Sequence, residues 1–185
     1  MIKSVFPGVL VGLISFAGVA LAEDKAITVP ATMDKAFAER IISESVQRQN
    51  EAKNTIKDWS AAQLSEALTA RLKGRTAVVF QPGHGVYAEF TSDDGLVFMW
   101  YSGNRRVVHG TWAVVAMGGQ PRACYHYLQS TNPVTHVYEP TECIDPTQTM
   151  AEMGVIASRQ GDIFNLRSDK VPYVKEPLDI PSPAQ

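Results

Sequence analysis

The sequence lacks the short motifs by which most enzymes and nucleic-acid-binding proteins are recognised. It has no glycine-rich phosphate loop, no Gly-x-Ser-x-Gly elbow, no internal repeat and no His-x-His spacing. Its 17 Lys and Arg are nearly balanced by 19 Asp and Glu, so it carries no basic footprint for nucleic acid. These absences predict no catalytic residues, no metal site, no cofactor and no nucleic-acid partner.

Charged residues are also scarce in residues 1–22, where Lys3 is the only one. An apolar run over residues 9–19 leads to Ala20-Leu21-Ala22, a small-x-small cleavage pattern. The pattern predicts a secretory signal peptide cleaved after Ala22 and a periplasmic location. A retained membrane anchor is the less favoured alternative, because the run is shorter than the ~20 residues that a span needs. No later run is long enough to cross a bilayer.

Cysteine is limited to Cys124 and Cys143. In an oxidising compartment such a pair most often forms a disulfide. The bridge would close a loop of about twenty residues and contribute on the order of 3 kcal/mol. The alternative is a catalytic thiol at Cys124, with His126 two residues away on the same face of a strand. A free reactive thiol beside a second cysteine is the less favoured reading.

Residues 23–74 are predicted to form an N-terminal helical segment. Its first helix starts near Asp34 and runs to about residue 50, or to residue 57 if the following polar stretch is also helical. Glu44 and Arg48 fall on its apolar face and disturb the pattern. A second helix starts at Ser60, which forms a capping box with Gln63, and ends before Gly74. We expect both helices to pack on a sheet.

Residues 75–175 are predicted to form an antiparallel β domain, followed by a Pro-rich tail at 176–185 that cannot join a central strand. Turn signals at 92–95 and 102–104 divide residues 85–115 into a meander. Residues 96–101 are apolar on both faces, as expected for a central strand covered twice. The fold class is therefore α+β, with amphipathic helices followed by a small curled sheet or barrel with one disulfide. The expected strands are 76–80, 86–91, 96–101, 105–116, 123–128, 134–139 and a final hairpin of 155–158 with 163–167.

A series of short motifs follows in order along the chain from Leu72 onward. They are Leu72-Lys73-Gly74-Arg75-Thr76, Asp94-Gly95, Gly110-Thr111-Trp112, Cys124, Cys143 and Gly161-Asp162. This order resembles small exported proteins, mainly of Gram-negative bacteria, that carry a domain of unknown function. The resemblance implies a lipocalin-like or related small β-barrel. It implies no catalytic residue, since none is established for the family.

Aromatic side chains on neighbouring strands are the main candidates for binding. If the sheet curls, those that the core does not use would line a concave apolar pocket, the usual form of a small-molecule site. Two arginines at a hairpin base would contact an anion or, as we favour, pair with Glu89 or Asp93 across the strands. The candidate ligand-binding residues are Tyr87, Phe98, Trp100, Tyr101, Arg105, Arg106, Trp112, Tyr125 and His126.

The remaining chemistry-bearing residues give no site by themselves. His109 and His126 would face each other if their strands pair, but a metal site needs at least three converging ligands, and His84 and His136 lie elsewhere. The carboxylates Asp93 and Asp94 are expected to be solvated turn residues. Independent histidines are therefore the favoured reading.

Three functions remain open from the sequence. The first is a non-enzymatic exported β-domain protein, expected to be a monomer, that binds a small ligand or an envelope partner. The second is a structural or interaction protein that docks through its N-terminal helix. The third is an unrecognised hydrolase or metal-binding protein. The first is favoured because catalytic motifs are lacking.

Overall fold

The computed structural model describes residues 27–29, 35–82, 85–101, 106–128, 140–169 and 178–180. Several predictions fall outside these ranges: the signal peptide, the turn at 102–104, the strand at 134–139 and most of the tail. The same holds for three candidate residues, His84, Arg105 and His136. In chain order the elements are β1 (Ile27–Val29), α1 (Lys35–Ile56), α2 (Ala61–Leu72), β2 (Arg75–Gln81), β3 (Gly85–Thr91), β4 (Leu96–Tyr101), β5 (Val108–Met117), β6 (Gln120–Tyr127), β7 (Thr141–Ile144), α3 (Pro146–Met150), β8 (Val155–Gln160) and β9 (Leu178–Ile180).

The second helix begins where the sequence predicts. Ser60 Oγ accepts a hydrogen bond from the Gln63 N–H at 3.3 Å, and Gln63 Oε1 accepts one from the Ser60 N–H at 2.9 Å. This capping box satisfies two amides that the first turn would otherwise leave unpaired. Leu64 and Leu68 are buried one turn apart, so α2 presents one apolar edge to the sheet.

The main sheet has seven antiparallel strands in the order β7-β6-β5-β4-β3-β2-β8. It curls into a half-barrel. Its edge strands β7 and β8 do not pair with each other in the described ranges, so the closed barrel considered as an alternative is not formed there. A separate two-stranded sheet joins β1 to β9, and the tail therefore contributes a short strand outside the main sheet.

Both faces of the sheet carry a hydrophobic core. One core, on what we call the inner face, contains Val97, Met99, Trp112, Ala123, Tyr125 and Tyr127. The other, on the outer face, contains Val78, Ala88, Phe90, Phe98, Trp100, Val107 and Ala157 with Leu166 packed over it. Because side chains alternate along a strand, β4 supplies both cores, and its four middle residues are buried. The prediction of a central strand covered on two sides is confirmed.

The predicted disulfide is confirmed. Cys124 of β6 and Cys143 of β7 are bonded and lie directly opposite each other in the strand register. The bridge ties the short edge strand β7 to the long strand β6. It therefore holds the start of the connection that leads across to β8.

The predicted final hairpin is wrong in its second half. Residues 155–158 do lie in a strand, but residues 163–167 form a turn that runs into a 3-10 helix at Leu166–Ser168. The Asp162 carboxylate accepts hydrogen bonds from the N–H groups of Leu166 and Arg167, each at 2.8 Å. These bonds coil the chain, and Leu166 becomes fully buried on the outer face.

Two elements near the second cysteine were not predicted. Residues 141–144, to which the sequence assigned no element, form β7, and residues 146–150, most of which were expected in a loop at 145–149, form α3. A local signal for the helix exists, because the Asp145 side chain accepts from the Thr147 N–H at 2.9 Å with a proline next to it. None of the helices in the described ranges combines the length and apolar character needed to cross a bilayer.

Candidate functional site

A cavity of about 380 Å³ lies on the inner face of the sheet. Its walls come from strands β2, β3, β6, β7 and β8. Its cover comes from α1, α2 and the connection that carries α3 from β7 to β8. The cavity exists because β7 and β8 are opposite edges of a curled sheet, so the chain that joins them must pass over its open side.

Small side chains near the β8 edge of the sheet leave the space unfilled. Ala77 of β2 lies opposite Glu89 of β3 and opposite Ser158 of β8. All three line the cavity. An alanine and a serine at neighbouring positions on adjacent strands cannot fill the gap between the sheet and its cover, which larger side chains would close.

Glu89 places a carboxyl group on the cavity wall. The Tyr127 hydroxyl donates a hydrogen bond to Glu89 Oε2 at 2.5 Å. Burial raises the pKa of Glu89 from 4.5 to about 7, partly opposed by the Tyr127 hydrogen bond and assisted by the negative charge of Glu142. The side chain lies deep in the protein, and the accessible surface that it keeps is turned toward the cavity that it lines.

Four tyrosines surround this carboxyl group. Tyr87 and Tyr101 lie with ring centroids 5.3 Å apart, and Tyr125 and Tyr127 stack at 6.1 Å. Burial is the main cause that raises the tyrosine pKa values, and the nearby Glu89 is the second. The pKa of Tyr101 rises to about 12, and the pKa values of the other three rise well above the usual value. The hydroxyls therefore stay protonated and can donate hydrogen bonds.

Polar contacts join α1 to the connection between α3 and β8, two parts of the cover. Arg48 of α1 donates from Nε to the Ala151 carbonyl at 3.0 Å and from Nη2 to the Glu152 carbonyl at 3.2 Å. Ser45, almost fully buried, accepts from the Gly154 N–H at 3.0 Å. Arg48, which disturbs the apolar pattern of α1, therefore has a structural role in fixing the connection between α3 and β8.

Gly154 is required where this connection joins β8. Its φ is +73°, and a Cβ there would lie 2.3 Å from the Phe80 carbonyl oxygen. Its own carbonyl accepts a hydrogen bond from the Phe80 N–H at 2.8 Å. Only glycine permits this approach without displacing the β2 backbone, so the cover meets the sheet at a defined distance.

The two arginines that line the cavity have partners away from Glu89. Arg71 of α2 forms a salt bridge with Glu152 at 3.1 Å. Arg75 of β2 donates from Nε to Ser158 Oγ at 3.0 Å. Both side chains therefore have anchors elsewhere in the cavity wall.

The chain was compared with protein-family models, with curated proteins and with solved structures. None matches. The resemblance drawn from Leu72 onward stays a prediction, and the geometry of the cavity has to carry any functional proposal.

The structure brings together only part of the predicted binding set. Tyr87 and Tyr125 line the cavity, and Tyr101 contacts the Tyr87 ring on the same face. Phe98 and Trp100 are buried in the outer core instead. They alternate with Val97, Met99 and Tyr101 along β4, so they cannot share the inner face.

The other predicted residues lie away from the cavity. Trp112 is buried on the inner face, where its indole N–H donates to the Ser92 carbonyl at 2.9 Å and secures the turn before β4. Arg106 is exposed at the start of the segment leading into β5. His126 is exposed and hydrogen-bonds to Thr141 at 2.9 Å.

His109 and His126, the histidines that the structure describes, do not form a common site. His126 lies opposite Thr111, while His109 contacts Asp169 at 2.6 Å. No group of three or more potential metal ligands occurs in the described ranges. The Asp94 carboxylate accepts hydrogen bonds from Ser92 and Arg167, which lower its pKa, as suits a turn-stabilising residue.

Sequence reasoning did not assign a binding role to Glu89. It treated this residue as a partner for the hairpin arginines, but the structure turns it inward to Tyr127. A signal was available, because Glu89 shares its strand face with Tyr87 and Thr91. That pattern indicates a buried carboxyl group only if the inner face is known to be the covered face, which the sequence does not show.

Proposed function

We propose that the protein is a non-enzymatic binding protein that holds a small, mainly apolar molecule in the inner-face cavity. The observation that carries the proposal is a cavity of about 380 Å³ lined by aliphatic and tyrosine side chains around one deep carboxyl group, Glu89. Ligand sites commonly have volumes of about 300–1,000 Å³ and combine an apolar lining with a few polar groups. The cavity has both properties.

We infer that the protein works outside the cytoplasm, in the periplasm. The basic start, apolar run and Ala-x-Ala site in residues 1–22 support export. The disulfide between Cys124 and Cys143 is compatible with it, because such bridges persist mainly in oxidising compartments.

Binding can be tested with the neutral fluorescent probe N-phenyl-1-naphthylamine and an Ala77→Leu variant. Ala77 lines the cavity opposite Glu89, so the added atoms should occupy the space that the probe needs. We expect Ala77→Leu to weaken probe binding at least about fivefold, since fitting the probe beside the added atoms would overpack the site at a cost of about 1–3 kcal/mol.

Ala116→Leu is the matched control, because Ala116 is exposed on β5 and the same atoms are added outside the cavity. It should bind the probe as the unmodified protein does. Circular dichroism and urea unfolding would establish that both variants are folded. Absence of probe binding to the unmodified protein, or equal binding by both variants, would refute a cavity site.

A second candidate function is docking of α1 to an envelope partner. Ile42 and Val46, one turn apart on α1, are 44% and 49% exposed. Exposed apolar neighbours on a helix are typical of contact surfaces. Val46→Glu should reduce recovery of a partner from envelope extracts while leaving N-phenyl-1-naphthylamine binding unchanged; unchanged recovery would contradict docking through this face.

A further inference from the structure

The cavity wall carries two carboxyl groups, Glu89 and Glu142, that form no ion pair with a basic side chain among the described residues. In the part of the chain that the structure describes, the only group that hydrogen-bonds to Glu89 is the neutral Tyr127 hydroxyl. A second carboxylate, Glu142 of β7, lines the same cavity and is exposed. The two carboxyl groups interact unfavourably, and the charge of Glu142 raises the pKa of Glu89.

The arginines at the cavity do not pair with Glu89. Of the described residues that line it, Arg71 and Arg75 are the basic ones. Arg71 is paired with Glu152, while Arg75 hydrogen-bonds to the neutral side chains of Ser158 and Gln160, and neither arginine forms an ion pair or hydrogen bond with Glu89. A deep carboxylate without a cationic partner is costly when ionised. A cationic ligand would therefore gain the electrostatic interaction with Glu89 that no side chain of the described residues makes.

The surroundings favour an organic cation over a metal ion. Tyr87, Tyr125 and Tyr127 line the cavity with Glu89, and tyrosine rings attract organic ammonium groups over their faces. No group of three or more metal-type ligands is found among the described residues. Ile41, Leu72 and Val79 are among the apolar residues of the lining and would contact an apolar body attached to the charged group.

We propose that the cavity binds an amphipathic organic ammonium compound, with its charged nitrogen at Glu89 among the tyrosines and its apolar part under the helical cover. This inference rests on the proposed binding function and names the chemical class of the ligand. Glu89 and the tyrosines recognise the charge, while the aliphatic residues set the size of the apolar part.

Binding of an ammonium group should depend on pH. Five ionisable groups face Glu89: Tyr87, Tyr101, Tyr125, Tyr127 and Glu142. Three more lie in the cavity wall: Arg71, Arg75 and Glu152. The tyrosines stay neutral in the neutral range, because their pKa values are raised. Because the pKa of Glu89 is about 7, the empty site is largely protonated at pH 5.5, and the ligand must displace that proton.

The experiment measures displacement of N-phenyl-1-naphthylamine by three compounds with the same chain: n-octylammonium, n-octanol and n-octanoate. At pH 8.5 we expect n-octylammonium to displace the probe at a concentration at least about tenfold lower than n-octanol, as a charge-assisted contact allows. The n-octanoate should be weakest. Lowering the pH to 5.5 should weaken n-octylammonium at least about tenfold and leave n-octanol unchanged.

Two variants locate the effect. Glu89→Gln keeps the side-chain shape and an acceptor for Tyr127 but removes the charge, so it should abolish the preference for n-octylammonium and its pH dependence while n-octanol still displaces the probe. Glu142→Gln, at the exposed rim, should change the preference less than Glu89→Gln. Urea unfolding at pH 8.5 checks that both variants are folded.

The possible outcomes separate the two proposals. If the probe does not bind the unmodified protein, the binding function itself fails. If the probe binds but n-octanol or n-octanoate displaces it as well as n-octylammonium does, only the ammonium inference is overturned. It is also overturned if Glu89→Gln keeps the preference, because the charge would then be recognised elsewhere.

Discussion

Glu89 shows how one side chain changes character with its environment. In an exposed strand it would be an ordinary solvated carboxylate, whereas here it lies on the covered face of β3 and receives a hydrogen bond from Tyr127. Burial holds a proton on it at pH values where most carboxyl groups are ionised. The protein therefore keeps a polar group in an apolar wall at a cost in stability that grows with pH.

This cost predicts a pH-dependent effect of Glu89→Gln on stability. Because the pKa of Glu89 is about 7 when folded against 4.5 for an unburied glutamate, its favourable contribution is complete below pH 4.5 and is lost as pH rises through 7. Relative to the variant, the unmodified protein should lose up to about 3 kcal/mol of unfolding free energy between pH 4.5 and pH 8.5. Urea unfolding at the two pH values measures this difference.

Glu142→Gln provides the comparison, because Glu142 is exposed on β7. The unfolding free energy of Glu142→Gln should follow that of the unmodified protein more closely than the unfolding free energy of Glu89→Gln does, because burial, rather than Glu142, is the main cause of the raised pKa of Glu89. A difference between Glu89→Gln and the unmodified protein that stays constant with pH would show that Glu89 is not protonated by burial.

At the scale of elements, helix α1 is held by specific polar contacts rather than by a broad apolar face. Ile41 and Ser45 are its buried residues, and Arg48 reaches two carbonyl oxygens of the α3–β8 connection. The sequence pattern of α1 is correspondingly weak. Its amphipathic spacing predicted a helix. The position of Arg48 on the apolar side is explained only by the structure, in which it donates hydrogen bonds to the carbonyl groups of Ala151 and Glu152.

Replacing Arg48 by Met should therefore loosen α1 and the cover of the cavity. The variant leaves two carbonyl groups without their donor, which costs about 1–3 kcal/mol. Hydrogen exchange should become faster in α1 and in residues 151–154, and urea unfolding should report the loss of stability.

Arg40→Met is the matched control on the same helix, because the Arg40 side chain is exposed and pairs only locally, with Glu44 and over the Phe37 ring. Equal effects of the two substitutions would contradict the anchoring role of Arg48.

Element boundaries show where sequence reasoning succeeds. Residues 96–101 and the capping box at Ser60 were placed correctly, since alternation and capping are local signals. The prediction of a strand at residues 163–167 was wrong because the Asp162 carboxylate accepts hydrogen bonds from the N–H groups of Leu166 and Arg167, which holds the chain in a turn and a 3-10 helix. Strand β7 was missed because its short pattern becomes a strand only when it pairs with β6.

At the scale of the whole molecule, the disulfide and the β7–β8 connection define the half-barrel. Cys124 and Cys143 fix the edge strand β7 against β6. From β7 the chain crosses to β8 at the other edge, passing α3 under α1. The cavity thus depends on a long-range connection whose starting point is covalently held.

Removing the disulfide should weaken this arrangement. The double variant Cys124→Ser with Cys143→Ser should unfold at lower urea concentration, with a loss of about 3 kcal/mol for a closed loop of this size. Probe binding should also weaken, because β7 contributes Glu142 and Ile144 to the cavity. Treating the unmodified protein with dithiothreitol should give the same shift, and identical midpoints with and without reductant would contradict the role of the bridge.

The sequence alone determined the α+β class, the meander, the helix cap and the cysteine pair, because each depends on neighbouring residues or on pairing within a short loop. It did not reveal which aromatic residues share a face with the cavity: Phe98 and Trp100 alternate with Tyr101, and only the covering helices decide which side is enclosed. Tertiary structure likewise decided the role of Glu89. A carboxyl group acquires its raised pKa and its bond to Tyr127 only when distant strands curl around it, and that depends on long-range packing.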